Sequence, residues 1–112
     1  MQSSLPVISK TYQIYKFIIE ANTIIPKKYR YSLGTNMEKS VLELLDNLIY
    51  AKNAPKPNKS AYLIKSQSLQ EILTIKNRLL LELKLINPTK IFQINSDLSE
   101  IGRIIGGWIK SI

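Results

Sequence analysis

The chain lacks cysteine and histidine altogether, and it has only eight acidic residues against sixteen Lys and Arg. Without cysteine no disulfide can form, which fits a reducing compartment. The two absences together exclude Ser-His and Cys-His catalytic pairs, thiolate or imidazole metal sites and a Glu-x-x-His di-iron site. No apolar run is long enough to cross a bilayer. We therefore expect a cytoplasmic protein that is not an enzyme, with no metal, cofactor or membrane association.

One catalytic alternative stays open, a magnesium site made of carboxylates alone. Glu38, Glu43 and Asp46 form the only local acidic cluster in the sequence. A charged helix face explains the same three residues. Alanine at these positions would have to abolish an activity for the enzyme reading to hold.

The charge balance indicates the class of partner. A formal net charge of +8 on 112 residues attracts polyanions and repels other basic proteins. Nucleic acid is the commonest partner of such a domain, and an acidic protein is the next. A basic protein with no polyanionic partner is the plainer reading of the same composition.

Four amphipathic segments predict four helices, over about 5–23, 26–53, 59–86 and 88–111. Ser3 or Ser4 is a suitable N-cap for the first helix, and Asn87 followed by Pro88 is a suitable start for the fourth. The two prolines within 53–58 predict a loop. Short connections between long helices predict one domain over 1–112, an all-α, up-down-up-down antiparallel four-helix bundle.

The last helix has the clearest pattern. Its apolar residues are spaced alternately by three and four, which is a heptad seam for packing against other helices; they are Ile91, Ile94, Leu98, Ile101, Ile105, Trp108 and Ile112. Gly102, Gly106 and Gly107 lie beside this seam, although an interior glycine costs a helix about 0.8–1 kcal/mol relative to alanine. We expect another backbone to pass close to these glycines and to Trp108, so that Gly106→Leu would disrupt packing.

The third helix is more apolar than one buried stripe requires. Leu79, Leu80, Leu81, Leu83, Leu85 and Ile86 cover most of its circumference, and Ile19, Ile104 and Ile109 also lie off their seams. Homo-oligomerisation through a second helical face would cover this surplus. The other reading is that these side chains are singly exposed, which is ordinary for soluble proteins.

The basic residues collect at the two ends of the predicted bundle. One end has Lys27, Lys28, Arg30, Lys84 and Lys90, and the other has Lys10, Lys52, Lys56, Lys59 and Lys110, with Arg103 further along the bundle. The run 27–31 alternates cations with tyrosines, as in surfaces that contact phosphates and stack bases; tyrosines packed against the core are the alternative. Four of the eight acids have a basic residue three or four positions away, as Glu82 has Arg78, and such pairs meet on a helix face.

Three segments, 25–34, 78–86 and 100–111, resemble the accessory variability determinant (Avd) proteins of diversity-generating retroelements. These proteins are related to four-helix-bundle proteins encoded in intervening sequences of bacterial 23S rRNA genes. Lys27, Lys28, Arg78, Arg103 and Lys110 match basic positions of the Avd pattern. Thr74 stands where many Avd-like sequences have a second arginine, and Lys76 is a candidate substitute. For Arg78, partner binding and simple pairing with Glu82 both stay open.

The resemblance implies a homopentameric, positively charged barrel of four-helix bundles. It further implies that the chain is not a catalyst but binds a reverse transcriptase and its template RNA, or an RNA/DNA hybrid, and supports mutagenic cDNA synthesis. The alternative is an interaction protein of the 23S rRNA intervening-sequence type with no reverse transcriptase partner. The candidate binding residues are Lys27, Lys28, Arg30, Lys52, Lys56, Lys59, Arg78, Arg103 and Lys110.

Overall fold

A computed structural model of the chain describes the backbone of residues 4–112 and the side chains of residues 6–112. Its helices are α1 (Ser4–Ala21), α2 (Lys27–Tyr29), α3 (Thr35–Asn53), α4 (Lys56–Glu82) and α5 (Pro88–Lys110). A π-helical turn, Arg30–Gly34, joins α2 to α3, so that these three elements form one continuous second helix of the bundle. Of the two predicted caps of α1, Ser3 lies outside the described residues and Ser4 is the first residue of the helix.

The four bundle helices are antiparallel to their neighbours along the chain. Asn22 at the end of α1 meets Gly34 and Glu38, Tyr50 at the end of α3 meets Tyr62, and Asn77 late in α4 meets Ile91 early in α5. The bundle is elongated, with extents of 44 × 23 × 18 Å. This confirms the predicted all-α, up-down-up-down fold. Within the described residues there is no strand, and no helix is long and apolar enough to cross a membrane.

One continuous core fills the space between the helices. From α5 it includes Ile91, Ile94, Leu98, Ile101, Ile105 and Trp108, which are all at least nine-tenths buried, so the heptad seam has the predicted role. The seventh member, Ile112, lies beyond the end of α5 and is exposed. The other helices contribute mainly aliphatic residues, among them Val7, Ile14, Ile18, Met37, Val41, Leu44, Leu48, Leu63, Leu69, Leu73 and Leu80.

Prolines mark three helix starts, but not all as predicted. The Asn87 side chain caps α5 by accepting a hydrogen bond from the Thr89 N–H at 2.8 Å, and Pro88 is the first helical residue, as expected. Pro26 instead precedes α2 with an extended backbone, as Pro55 precedes α4. Pro57 lies inside the first turn of α4. Backbone N–H groups in the first turn have no hydrogen-bond acceptor within the helix, so a proline there breaks no helical hydrogen bond. The predicted loop 53–58 is therefore much shorter in the structure.

The end of α4 also differs from the prediction. The helix stops at Glu82 rather than near residue 86, because Lys84 adopts a left-handed backbone with φ of 56°. The Leu85 N–H donates to the Leu80 carbonyl and the Lys84 N–H donates to the Leu81 carbonyl, which is the Schellman arrangement. Glycine is the usual residue at the left-handed position, and lysine there carries a conformational penalty. Because no glycine marks the helix end in the sequence, the apolar pattern predicted a helix as far as Ile86.

Of the four glycines, Gly34 has the closest neighbouring side-chain atoms. The buried Asn22 side chain donates to the Gly34 carbonyl at 2.9 Å and also to the Glu38 carboxylate. A Cβ atom built on Gly34 would lie 2.7 Å from Asn22 Oδ1 and 3.1 Å from Ile25 Cδ1. The glycine therefore allows α1 to contact the second bundle helix at the π-helical turn.

We expect Gly34→Ala to lower the free energy of unfolding by about 1–3 kcal/mol, because the new methyl group displaces Asn22 from its hydrogen bonds. The matched control is Gly107→Ala, since a Cβ there meets nothing within 4 Å. That change should raise stability by up to about 1 kcal/mol through helix propensity. Urea denaturation at fixed protein concentration measures both. A Gly34→Ala protein as stable as the wild type would contradict the close contact.

Candidate nucleic-acid and subunit interfaces

One end of the bundle is made of three segments that contain basic residues and no acid. We define the acid-free end as residues 6–10 of α1, 47–65 through the α3–α4 turn, and 101–112 of α5, where the sequence has no Asp or Glu. Its basic residues are Lys10, Lys52, Lys56, Lys59, Lys65, Arg103 and Lys110. Two of the seven cations pair with acids just outside these ranges, Glu100 and Glu43, and the other five leave this end with a net positive charge.

Three of these seven cations have partners within the described chain. Lys10 Nζ lies 2.9 Å from a Glu100 carboxylate oxygen, and this hydrogen bond raises the pKa of Lys10 above its ordinary value. Lys65 Nζ lies 3.5 Å from Glu43. Lys59 donates to the carbonyls of Ala51 and Lys52 at 2.8 and 2.9 Å, and so caps the C-terminus of α3.

The remaining four cations are Lys52, Lys56, Arg103 and Lys110. None of them makes a salt bridge or a side-chain hydrogen bond within residues 6–112. Lys56, Arg103 and Lys110 are exposed, and Lys52 is half-buried. They are therefore the cations of this end that a bound phosphate could neutralise without breaking an intramolecular contact.

The opposite end is basic too, but its cations are mixed with acids. Lys27, Lys28, Lys84 and Lys90 are exposed there, close in sequence to Glu20 and Glu82 in the last turns of α1 and α4. The elongated shape separates the two ends, so they are two surfaces and not one.

Arg30 and the neighbouring tyrosines have different environments. Arg30 donates to the carbonyls of Thr23 and Ile25, both at 3.2 Å, and so holds the connection between α1 and α2. Tyr31 is 71% exposed, so this tyrosine does not pack in the core, which was the alternative to a base-stacking role. Lys28 Nζ lies 5.0 Å from the centroid of the half-buried Tyr29 ring, in cation–π geometry.

Arg78 is exposed on α4, nearer the opposite end, and forms no salt bridge to Glu82 within the described residues. Lys76 is the candidate substitute for the arginine that the Avd pattern has near Thr74. Its ammonium donates to Ser40 Oγ at 2.6 Å and is therefore directed towards α3. Two acids with a basic residue nearby in their own helix, Glu100 and Glu43, pair instead with another helix, through Lys10 and Lys65.

The α5 glycines differ from the expectation of close backbone packing. The three atoms nearest to a Cβ on Gly102 all belong to the Gln70 side chain, at 3.1–3.3 Å, and that side chain donates to the Leu98 carbonyl. A Cβ on Gly106 would be in ordinary contact with Gln67 at 3.7 Å, and one on Gly107 would be in open space. Within the described chain no second backbone lies against these glycines, although Trp108 is buried in the core.

A stripe of exposed aliphatic residues runs along the outer side of α4. It consists of Ile64, Ile72, Ile75, Leu79 and Leu83, which recur at three, four or eight positions and are 39–62% exposed. We call it the α4 stripe. The predicted excess of apolar surface on this helix is therefore confirmed in part, because Leu79 and Leu83 are exposed. Leu80 is buried, and Leu81, Leu85, Ile86, Ile104 and Ile109 are partly buried against the core.

A second apolar surface lies between α1 and α3. Asn22 of α1 contacts Glu38 of α3, and residues at helical spacing from these two share the same side of each helix. On α1 this places Tyr12, Tyr15 and Ile19 along the junction, and on α3 it places Leu42, Leu45 and Ile49 there. Tyr12, Ile19, Leu42 and Ile49 are exposed. We call these six residues the α1/α3 surface.

Carboxylates do not assemble into a metal site in the part of the chain that the structure describes. Glu38 accepts from Asn22, and Glu43 pairs with Lys65. Two of the three acids in the only local acidic cluster are thus engaged in contacts between helices.

The model of the bAvd-like family matches residues 6–112 of this chain. The chain belongs to the bAvd-like family. The match covers every described side chain, including both ends of the bundle and both apolar surfaces. No curated protein matches the chain.

The fold is also present in a solved structure. The bAvd-like chain is similar to a crystal structure of a protein of unknown function from the S23 ribosomal protein family of Bacteroides thetaiotaomicron, with a TM-score of 0.85. The match covers 96% of this chain and 98% of the other, at 16% sequence identity. At that identity the likeness concerns the fold alone.

Proposed function

We propose that this bAvd-like protein is a non-catalytic accessory protein of a diversity-generating retroelement. In this proposal it binds the retroelement's reverse transcriptase and template RNA and supports mutagenic cDNA synthesis. Membership in the bAvd-like family carries the proposal. The acid-free end supports it, because that end has four cations without intramolecular partners for the RNA backbone.

The RNA contact is electrostatic and largely independent of sequence. Lys52, Lys56, Arg103 and Lys110 neutralise phosphates and release their counterions, so that affinity depends on salt. The less exclusively basic opposite end, with Lys27, Lys28 and Arg78 nearby, is available to the reverse transcriptase.

The active form in this proposal is a homo-oligomer, a pentamer by the resemblance to Avd proteins. The α4 stripe and the α1/α3 surface support it, because they are different patches on one chain. When one kind of patch binds the other kind on a neighbouring copy, the contact is heterologous and a rotation can close it into a ring. Both surfaces would then be covered without loss of the basic ends.

Binding of a fluorescently labelled RNA hairpin at several salt concentrations tests the RNA contact. With about four phosphates neutralised per chain, we expect affinity to fall roughly 100-fold between 50 and 200 mM salt. Affinity that barely changes over this range would contradict a phosphate-binding surface.

A further inference from the structure

A cleft lies at the acid-free end, where the chain turns from α3 into α4. Its volume is about 410 Å³, and it is lined by Tyr50, Asn53, Ala54, Pro55, Asn58 and Tyr62. The Tyr50 and Tyr62 ring centroids are 5.5 Å apart, with the ring planes inclined at 46°. Tyr62 packs partly against the core, whereas Tyr50 is 54% exposed. The cleft therefore has one anchored and one exposed aromatic wall.

We propose that this cleft binds one unpaired nucleobase of a single-stranded RNA segment, stacked on the Tyr50 ring. Unpaired bases are bound in this way because every base presents a π-face to an aromatic side chain. Asn53 and Asn58 provide amide groups for the edge of the base. The Asn53 Nδ2 already donates to the Ile49 carbonyl at 3.2 Å, which leaves its Oδ1 as an acceptor.

The charges around the cleft favour nucleic acid over an apolar peptide or a neutral molecule. Lys52 precedes the lining residue Asn53, and Lys56 follows the lining residue Pro55. Lys59 caps α3 at the carbonyls of Ala51 and Lys52, so its ammonium adds positive charge beside the cleft. Asp46, one turn before Tyr50, is the nearest acid along α3. The phosphates on either side of a stacked base can therefore contact Lys52 and Lys56.

This inference rests on the proposed function, since it assigns a base-binding position to the RNA surface, but it makes a separate claim. Phosphate contacts alone do not distinguish single-stranded from duplex RNA of equal length in the way that stacking does. A duplex has no unpaired base to place in the cleft.

The test compares two labelled probes, a 12-nucleotide oligoadenylate and a blunt RNA duplex. Tyr50→Ala should lower affinity for the oligoadenylate about tenfold and leave affinity for the duplex unchanged. Tyr50→Phe should retain wild-type affinity, because it keeps the stacking ring. Phe92→Ala is the matched control, since Phe92 is 62% exposed on α5 and away from the cleft. Light scattering and circular dichroism of each variant accompany the binding curves.

Three results would overturn the base-binding cleft. Equal losses for both probes would mean that Tyr50 only supports the basic surface. A changed solution mass for Tyr50→Ala would place Tyr50 in a subunit contact. Unchanged oligoadenylate affinity in Tyr50→Ala would contradict base stacking in the cleft and leave the proposed RNA binding unaffected. If the wild-type protein bound neither probe, the proposed RNA binding itself would fail.

Discussion

Replacing Lys52, Lys56, Arg103 and Lys110 together by glutamine should lower RNA affinity at low salt by about 100-fold or more. Each lost phosphate contact should reduce the slope of log affinity against log salt by roughly 0.7–0.9, so the slope should fall by about 3 in total. The fold should survive, because none of the four side chains makes a salt bridge or side-chain hydrogen bond within residues 6–112. Filter binding with the labelled hairpin at four salt concentrations measures both quantities.

A matched variant at the opposite end is the control. Lys27, Lys28, Lys84 and Lys90 are also exposed, and replacing them by glutamine removes the same amount of charge. We expect a clearly smaller loss of affinity and a smaller change in salt slope. A larger loss from this variant than from the acid-free end would show that the RNA contact is assigned to the wrong end of the bundle.

Ile75→Glu should dissociate the proposed homo-oligomer to single chains of 12.8 kDa. Ile75 lies in the middle of the α4 stripe and is 62% exposed in the isolated chain, so a glutamate there is solvated and harmless to the monomer. In a subunit contact the same carboxylate would be buried without a partner, which costs several kcal/mol. Multi-angle light scattering gives the mass, and circular dichroism shows whether the helices persist.

Phe92→Glu is the matched control for this change. Phe92 is also 62% exposed but lies on α5, outside the α4 stripe and the α1/α3 surface. It should leave the mass of the wild-type assembly unchanged. If the wild-type protein were itself a single chain in solution, both apolar surfaces would be exposed and the ring would be contradicted.

Hydrophobic spacing was enough to predict the bundle and the core residues of α5. A heptad seam puts its apolar side chains on one side of the helix, and packing that side against other helices buries them all. Helix ends were harder to predict. Pro57 does not end a helix when it lies in the first turn of one, and Lys84 takes a left-handed position that a glycine would have signalled. Both are local choices that depend on how the neighbouring helices meet.

Contacts between helices were the main features that could not be read from spacing. Glu100 has Arg103 three residues away but pairs with Lys10 of α1, which only the packed structure brings close. Glycine spacing in α5 indicated a close approach, whereas the close approach is at Gly34, where Asn22 contacts the backbone. A sequence rule for one helix cannot identify which residue of another helix faces it.

The tyrosine cleft had a signal that went unused. Tyr50 and Tyr62 lie at similar distances on either side of the prolines at 55 and 57, so an antiparallel turn there brings them opposite each other. The lysines of this turn predict a basic end by themselves, whereas the tyrosines become informative only when paired across the turn. Adding the aromatic pair changes a charged end into a candidate base-binding site.

The most direct measurement is cDNA synthesis by the retroelement's reverse transcriptase on its template RNA, with and without this bAvd-like protein. We expect mutagenic cDNA synthesis to require the wild-type protein and to be lost with the Lys52, Lys56, Arg103 and Lys110 variant. The protein alone should make no cDNA. Equal cDNA yield and equal misincorporation with the protein omitted would contradict the accessory role.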